Sequence, residues 1–168
     1  MGLIYTIGDS ESNSYVSADE ANEYFVDRPF SETWEDTFNQ DQILINATRL
    51  IDWNFNFNGQ KTTTTQALQW PRKYSYDSKN NIEIEDNIIP IKIKHAVYEL
   101  SIMSLTEDRV LENDMIGLSK IKVGSLEIQT DNDYKSQSKK NSIPDIVYKI
   151  LNGLTTANSG VFKRVVRF

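Results

Sequence analysis

The sequence predicts a mainly α fold, a small helical bundle with one β-hairpin and an extended C-terminal arm. Three observations carry this expectation. Apolar residues recur at helical spacing over 18–27, 43–55 and 91–109. The period changes to alternation at one place, Ile121 to Ile128, around a Gly-Ser turn. An apolar and basic stretch, 161–168, then follows a small polar spacer. With 168 residues, 39% apolar and 11% aromatic, the chain has material for one sizeable core. The organisation expected is a helical domain over 1–153, carrying the hairpin as an insertion at about 118–130, and a flexible spacer and docking arm over 154–168.

Ser17-Ala18-Asp19-Glu20 is a capping box, with Val16 and Ala21 placed for the accompanying hydrophobic staple. Ala21, Tyr24 and Phe25 share a face, and Arg28-Pro29 stops the turn, so a helix is expected over 18–27. Ile43, Leu44, Ala47, Leu50, Ile51 and Phe55 form the stripe of a second helix, expected to end near Asn58-Gly59. The polar stretch 60–65 and the turn-rich stretch 75–87 read as long loops around Ala67 to Arg72. Pro90 opens the third and longest helix, with Ile93, Ala96, Val97, Leu100, Met103 and Ser104 as its buried stripe and an end near 109. After the hairpin, 131–141 is polar and expected to be mobile. A last helix is expected over 144–152, with Ser142 as a cap, Val147, Ile150 and Leu151 on one face, and Gly153 as its terminator. The arm, 161–168, has the composition of a segment that docks, either on its own domain or by β-augmentation on a neighbouring subunit.

Charge and composition remove several functions. There are 24 acids and 18 bases, a net charge of −6, distributed unevenly. Residues 1–41 carry ten acids against one base, a net of −9, which leaves +3 for the remainder. Lys163, Arg164 and Arg167 lie in the last eight residues without an acid, so the two ends can attract one another head to tail. Wholesale duplex binding needs a broadly basic surface, which this chain lacks. The absence of cysteine excludes disulfides, thiolate nucleophiles and cysteine zinc sites. No run approaches the ~20 apolar residues that cross a bilayer, and the first residues lack a signal-peptide pattern. No membrane partner is expected, and the chain is expected to stay in the compartment where it is made.

Motifs for chemistry are weak throughout. His95, the single histidine, lies beside the apolar stripe of the third helix with no nucleophile or orienting carboxylate in motif spacing. Asp131-Asn132-Asp133 lacks the glycine and distal glutamate of a calcium loop, and Gly59-Gln60-Lys61-Thr62 lacks the first glycine of a P-loop. Trp70-Pro71-Arg72-Lys73-Tyr74 interleaves aromatic and basic residues as a single-stranded nucleic-acid surface does, although core packing with a solvated rim is the better account. Glu107, Asp108, Glu112 and Asp114 crowd the end of the third helix, where the dipole disfavours them unless a basic partner such as the 161–168 arm of a neighbour meets them. No catalytic residue, metal site or cofactor is expected, and the chain reads as non-enzymatic.

Tyr15 to Phe25, Trp34, Leu44 to Asp52, Gln69-Trp70-Pro71-Arg72 and Ile89-Pro90, in this order and spacing, resemble the head-to-tail adaptor (connector) proteins of tailed bacteriophages. Some of those relatives carry the label DnaT-like single-stranded DNA-binding protein. The resemblance continues through 122–127 and 164–167 and so covers most of the chain. It implies a mostly helical structural subunit of a ring, usually twelve-fold, seated beneath the portal and continuing the DNA channel. The implied partners are copies of itself, the portal protein, a downstream tail or head-closure protein, and genome DNA passing through without sequence-specific binding. The implied location is the head-tail junction of the virion, reached from the host cytoplasm. Interface candidates are Lys122, Gly124 and Ser125 of the hairpin, and Val161, Phe162, Lys163, Arg164, Val165, Val166, Arg167 and Phe168 of the arm. Arg49 and Asp52 are candidates for polar contacts that hold the helical core to the Trp70-Pro71-Arg72 loop. The Asn- and Thr-rich stretch 54–65 departs from commoner versions. A second reading is a single-stranded DNA-binding replication protein that uses Trp70, Arg72, Lys73 and Tyr74.

Overall fold

The computed structural model describes residues 2–105, 120–123, 126–129 and 143–156. It is mainly α with a small β part, as the periodicities predict. Helix α1 (Ala18–Val26) starts where its capping box requires: the Glu20 amide donates to Ser17 Oγ at 3.1 Å and the Ser17 amide to Glu20 Oε2 at 3.0 Å. Its buried residues are Ala21 and Phe25. Just beyond, Arg28 grips Glu99 with two bonds, Nε to Oε1 at 2.9 Å and Nη2 to Oε2 at 3.0 Å, while Tyr24 donates its hydroxyl to the same carboxylate at 2.9 Å. The single turn α2 (Glu32–Glu35), which no periodicity announces, exists to seat Trp34. That indole is buried against Phe25 at 4.8 Å between ring centroids and donates to Asn22 Oδ1 at 2.8 Å.

Helix α3 (Gln40–Asn54) buries Leu44, Ala47, Leu50 and Ile51. It stops at Asn54, short of the Asn58-Gly59 end expected from the glycine. The reason lies in Phe55 and Phe57: Phe55 takes extended backbone, φ −119° and ψ 135°, and residues two apart on extended chain share a face. Both rings therefore enter the core, Phe55 against Tyr148 at 4.9 Å and Phe57 against Trp70 at 5.7 Å. A continued helix would have turned one of them to water.

The stretch expected as loops contains two small antiparallel sheets. Strand β1 (Gln60–Lys61) pairs with β2 (Arg72–Lys73), and β3 (Ser75–Asp77) pairs with β4 (Ile82–Ile84). Strands of two or three residues have no period to read, so the sequence held no signal for them. Gly59 makes the first crossing feasible: at φ 71°, a Cβ there would stand 2.4 Å from the carbonyl oxygen of Lys73.

Helix α4 (Ile91–Ser104) begins after Pro90 and buries the expected Ile93, Ala96, Val97 and Leu100. Positions 106–109 of the expected helix lie outside the described residues. Strands β5 (Lys120–Val123) and β6 (Leu126–Gln129) pair antiparallel with Val123 opposite Leu126, the register of the expected hairpin. Helix α5 (Asp145–Leu151) follows Pro144, and Gly153 ends it at φ 99°. The expected Ser142 cap falls outside the described residues, as does the 131–141 stretch.

One expectation about the arm is corrected here. Thr155 and Thr156, expected within a flexible spacer, pair with the chain after α3: the Asn58 amide donates to Leu154 O at 3.0 Å, and the Thr156 amide to Asn56 O at 2.8 Å. Extended backbone at Phe57 offers an edge, and the chain leaving α5 takes it. In the core, α3 packs on α4 and α4 on α5, around Leu44, Ile51, Ile93, Leu100, Val147, Leu151 and Trp70. Among the described residues no helix is long and apolar enough to cross a membrane.

Trp34→Ala is expected to cost about 3–5 kcal/mol of stability through the cavity it leaves. Ser17→Ala, which removes half of the capping box, should cost about 1 kcal/mol. Urea unfolding followed by far-UV circular dichroism measures both, and equal effects would show that Trp34 does not organise the α1–α2 junction.

Candidate functional site

A polar cluster joins the first segment, the end of α3 and the Gln69–Arg72 loop. Asp52 lies on the last turn of α3 with one carboxylate oxygen toward the Tyr15 hydroxyl, which donates to Oδ1. Its other oxygen accepts from the Gln69 amide at 3.0 Å. The Tyr15 oxygen in turn accepts from the amides of Gln69 at 3.1 Å and Trp70 at 3.2 Å. Burial pushes the Asp52 carboxyl up to about 6, against the pull of its Tyr15 and Gln69 bonds and of the Lys61 and Arg72 charges. Burial, reinforced by the neighbouring Asp52 charge, also raises the Tyr15 phenol well above its ordinary value.

Arg72 is buried and satisfied in full. Nε donates to Asn58 O at 2.8 Å, one terminal nitrogen to Gln69 O at 3.1 Å and Gln69 Oε1 at 3.0 Å, and the other to Phe57 O at 3.3 Å and Gly59 O at 2.8 Å. A guanidinium has five N–H donors, so none is left for a phosphate. Trp70, joined to Pro71 through a cis peptide, is 1% exposed and packs edge-on to Phe57. The pocket between Trp70, Tyr5, Gly8, Ser14 and Tyr15 has room for about one water molecule, far short of a nucleotide base.

These positions sort the candidates. Asp52 touches the Trp70-Pro71-Arg72 loop through the Gln69 amide. Arg49 does not reach that loop, correcting the expectation: its guanidinium carbon lies 5.7 Å from the centroid of the Trp53 ring. The reason is helical spacing, because Arg49 and Trp53 are four residues apart on one exposed face of α3. Trp70 and Arg72, proposed as DNA-stacking and phosphate-binding residues in the second reading, face the core. Of that run only Lys73 and Tyr74 reach the surface, Tyr74 at 76% exposure. His95 packs beside the Tyr24 and Tyr98 rings at 5.2 and 6.3 Å. Lys122 is opposite Glu127 in the hairpin register. Gly124, Ser125 and the 161–168 arm lie outside the described residues, as do Glu107, Asp108, Glu112, Asp114 and Asp131-Asn132-Asp133. Among the described residues, no three His, Asp or Glu side chains stand close enough to hold a metal.

Three described lysines are likewise engaged. Lys92 pairs with Asp77 at 2.6 Å, Lys94 with Glu20 at 2.5 Å, and Lys61 donates to the carbonyls of Gln66 and Ala67 at 3.3 and 3.2 Å. What the surface offers instead is apolar: Val26, Phe30, Phe38, Trp53 and Ile91 are all exposed. Reading the sequence missed this feature, although Val26, Phe30 and Phe38 flank a proline and four acids in one short stretch. It also missed Tyr15 as the partner of Asp52, for which no local signal exists across 37 residues.

A family model described as "Putative DnaT-like ssDNA binding protein" matches residues 1–168. The chain belongs to this family. Searches of curated proteins and of solved structures return no match. Within the DnaT-like family the description names single-stranded DNA, the ligand of the second reading above, and does not name a phage connector.

A carboxyl whose pKa rises on folding binds its proton more tightly in the folded state, so stability falls as pH climbs from about 4 to about 6 and is flat above. Asp52 should contribute a loss of about 2 kcal/mol over that window. Glu20, Asp77 and Glu99 are shifted down, because bonds from Lys94, Lys92 and Arg28 outweigh burial, and their opposite slope lies below about pH 4.5. Urea midpoints at pH 5 and 7 should therefore favour pH 5 in the native chain and lose that preference in Asp52→Asn; an unchanged slope in the variant would assign the effect elsewhere.

Proposed function

We propose that this protein is a non-enzymatic assembly subunit that forms a ring beneath a phage portal, joins head to tail and continues the DNA channel. The observation that carries the reading is how the described surface is spent. Arg28, Lys61, Arg72, Lys92 and Lys94 bond within the protein, while large apolar side chains stand uncovered among acids. Uncovered apolar groups favour protein partners. Bases bound internally are withheld from phosphates, which suits a conduit, because tight phosphate contacts would retain the genome. The partners under this reading are further copies of the chain, the portal protein and a downstream tail or head-closure protein, with the host cytoplasm as the place of synthesis and the virion as the destination.

The test is assembly with the portal protein encoded by the same genome, followed by light scattering and negative-stain microscopy. An annulus that forms with portal supports the subunit reading, and failure to associate under any condition removes it. Deleting 161–168 should leave unfolding unchanged and abolish incorporation; normal incorporation would take the arm out of the interface.

The family description favours a second reading, single-stranded DNA binding, more directly than it favours the adaptor role. On the described surface it would rest on the Arg49–Trp53 pair and on Lys73 and Tyr74 in place of Trp70 and Arg72. It expects salt-sensitive binding of short oligonucleotides, with a loss of about 1–3 kcal/mol in Trp53→Ala, the worth of one stacked base. Fluorescence anisotropy at two salt concentrations decides it: tight binding lost on Trp53→Ala, with no annulus, makes this the function.

A further inference from the structure

The stretch 26–38, from the end of α1 to the approach to α3, is an elbow tied by hydrogen bonds that carries exposed apolar side chains. Ser31 Oγ donates to the carbonyls of Phe25 and Arg28 at 2.9 Å each, Trp34 is pinned beneath by Asn22, and Gln40 Nε2 ties Trp34 O at 3.1 Å. From this fixed frame Val26, Phe30 and Phe38 project at 79%, 84% and full exposure. Phe30 is held at φ 62°, backbone that a bulky residue seldom adopts. Around these three stand the exposed acids Asp27, Glu32, Glu35 and Asp36, while the one local base, Arg28, is spent on Glu99.

The 161–168 segment has the complementary composition, five Val or Phe residues with Lys163, Arg164 and Arg167 and no acid. Its root is fixed by the structure, since Thr156 pairs with Asn56 immediately beyond α3. The elbow sits immediately before α3, so root and elbow lie at opposite ends of a helix about 22 Å long. Helix α4 orders the two places the same way: Lys92 at its start donates to Asn152 O at 3.0 Å near the root, and Glu99, about two turns along, holds Arg28 at the elbow. Complementary surfaces at opposite ends of one subunit form heterologous contacts between copies.

We propose that the 161–168 segment of one copy docks on the 26–38 elbow of the next, its phenylalanines and valines covering Val26, Phe30 and Phe38 while its three cations meet the elbow acids. The occupant is a second copy of this chain, and the inference rests on the reading of the chain as an assembling subunit. Twelve extended residues reach about 40 Å, so docking on the same copy is the competing outcome.

The test places a photo-crosslinker in the full chain by Phe162→p-benzoylphenylalanine, mixes isotopically heavy and light copies, and maps crosslinks by mass spectrometry, alone and with portal. Crosslinks from position 162 of one isotope into 26–38 of the other are expected, weakening with salt. Glu35→Lys with Asp36→Lys, both at exposed positions, should lower their yield by about tenfold, and a partner carrying Lys163→Glu with Arg164→Glu should restore it. Circular dichroism of each variant confirms folding before yields are compared. Same-isotope crosslinks alone, crosslinks elsewhere, or none overturn the inference. If a portal annulus forms without elbow crosslinks, the ring survives and this contact falls; elbow crosslinks without an annulus keep this contact and remove the portal role.

Discussion

The guanidinium of Arg72 replaces missing secondary structure. The chain from Phe57 to Gly59 and the carbonyl of Gln69 belong to no helix, and buried carbonyls without donors cost free energy on the scale of a lost hydrogen bond. Arg72 supplies that stretch from one side chain, reaching Phe57, Asn58, Gly59 and Gln69 at once. The opposite polarity is served by Tyr15 and Asp52, which accept from the amides of Gln69 and Trp70. Together they hold Trp70 against Phe57, and Phe57 carries the bridge to Thr155. The point at which the last described residues leave the body therefore depends on a network centred some eighty residues earlier in the chain. A lysine could not substitute, since a single ammonium with three donors cannot span carbonyls set in this fork.

Much of the helical frame was legible because its signals are local. The Ser17–Glu20 box fixed the start of α1, and the Ile93, Ala96, Val97, Leu100 stripe identified the buried face of α4. The end of α3 was misplaced because glycine is a strong terminator in one dimension, whereas the true end is set by two phenylalanines that must share a face. Of the cluster, Asp52 and the Trp70–Arg72 loop were placed together through the family resemblance, but the hydroxyl that completes it belongs to Tyr15, with nothing local to announce it. Trp70-Pro71-Arg72-Lys73-Tyr74 illustrates the limit best. Alternating aromatic and basic residues look like a nucleic-acid surface until burial divides them, three inside, Lys73 half-buried and Tyr74 outside.

That division bears on how the family description is weighed. Affinity for a polyanion grows with the number of phosphates neutralised, and each basic side chain engaged internally is one fewer for that purpose. Arg28, Lys92 and Lys94 each face a carboxylate across two elements, so they stabilise the packing of α1, α4 and β3 at the expense of any external role. The described bases without an internal bond of this kind, Arg49, Lys73, Lys79 and Lys149, are spread over α3, β2, the turn after β3 and α5.

Under the docking proposed above, a subunit with an acceptor surface at one end and a donor segment rooted at the other would give assembly a definite arithmetic. In an open row of copies one elbow and one arm stay uncovered, so the row is always one contact short of its number of subunits. Closing the row adds that contact between partners already held near each other, where effective concentration replaces free diffusion and most of the association entropy has been lost earlier. Under the proposed docking, closure would be favoured over extension wherever the rotation between neighbours permits it. The Arg72 network contributes here as well, because an arm rooted on a loose loop would transmit no definite angle from one subunit to the next.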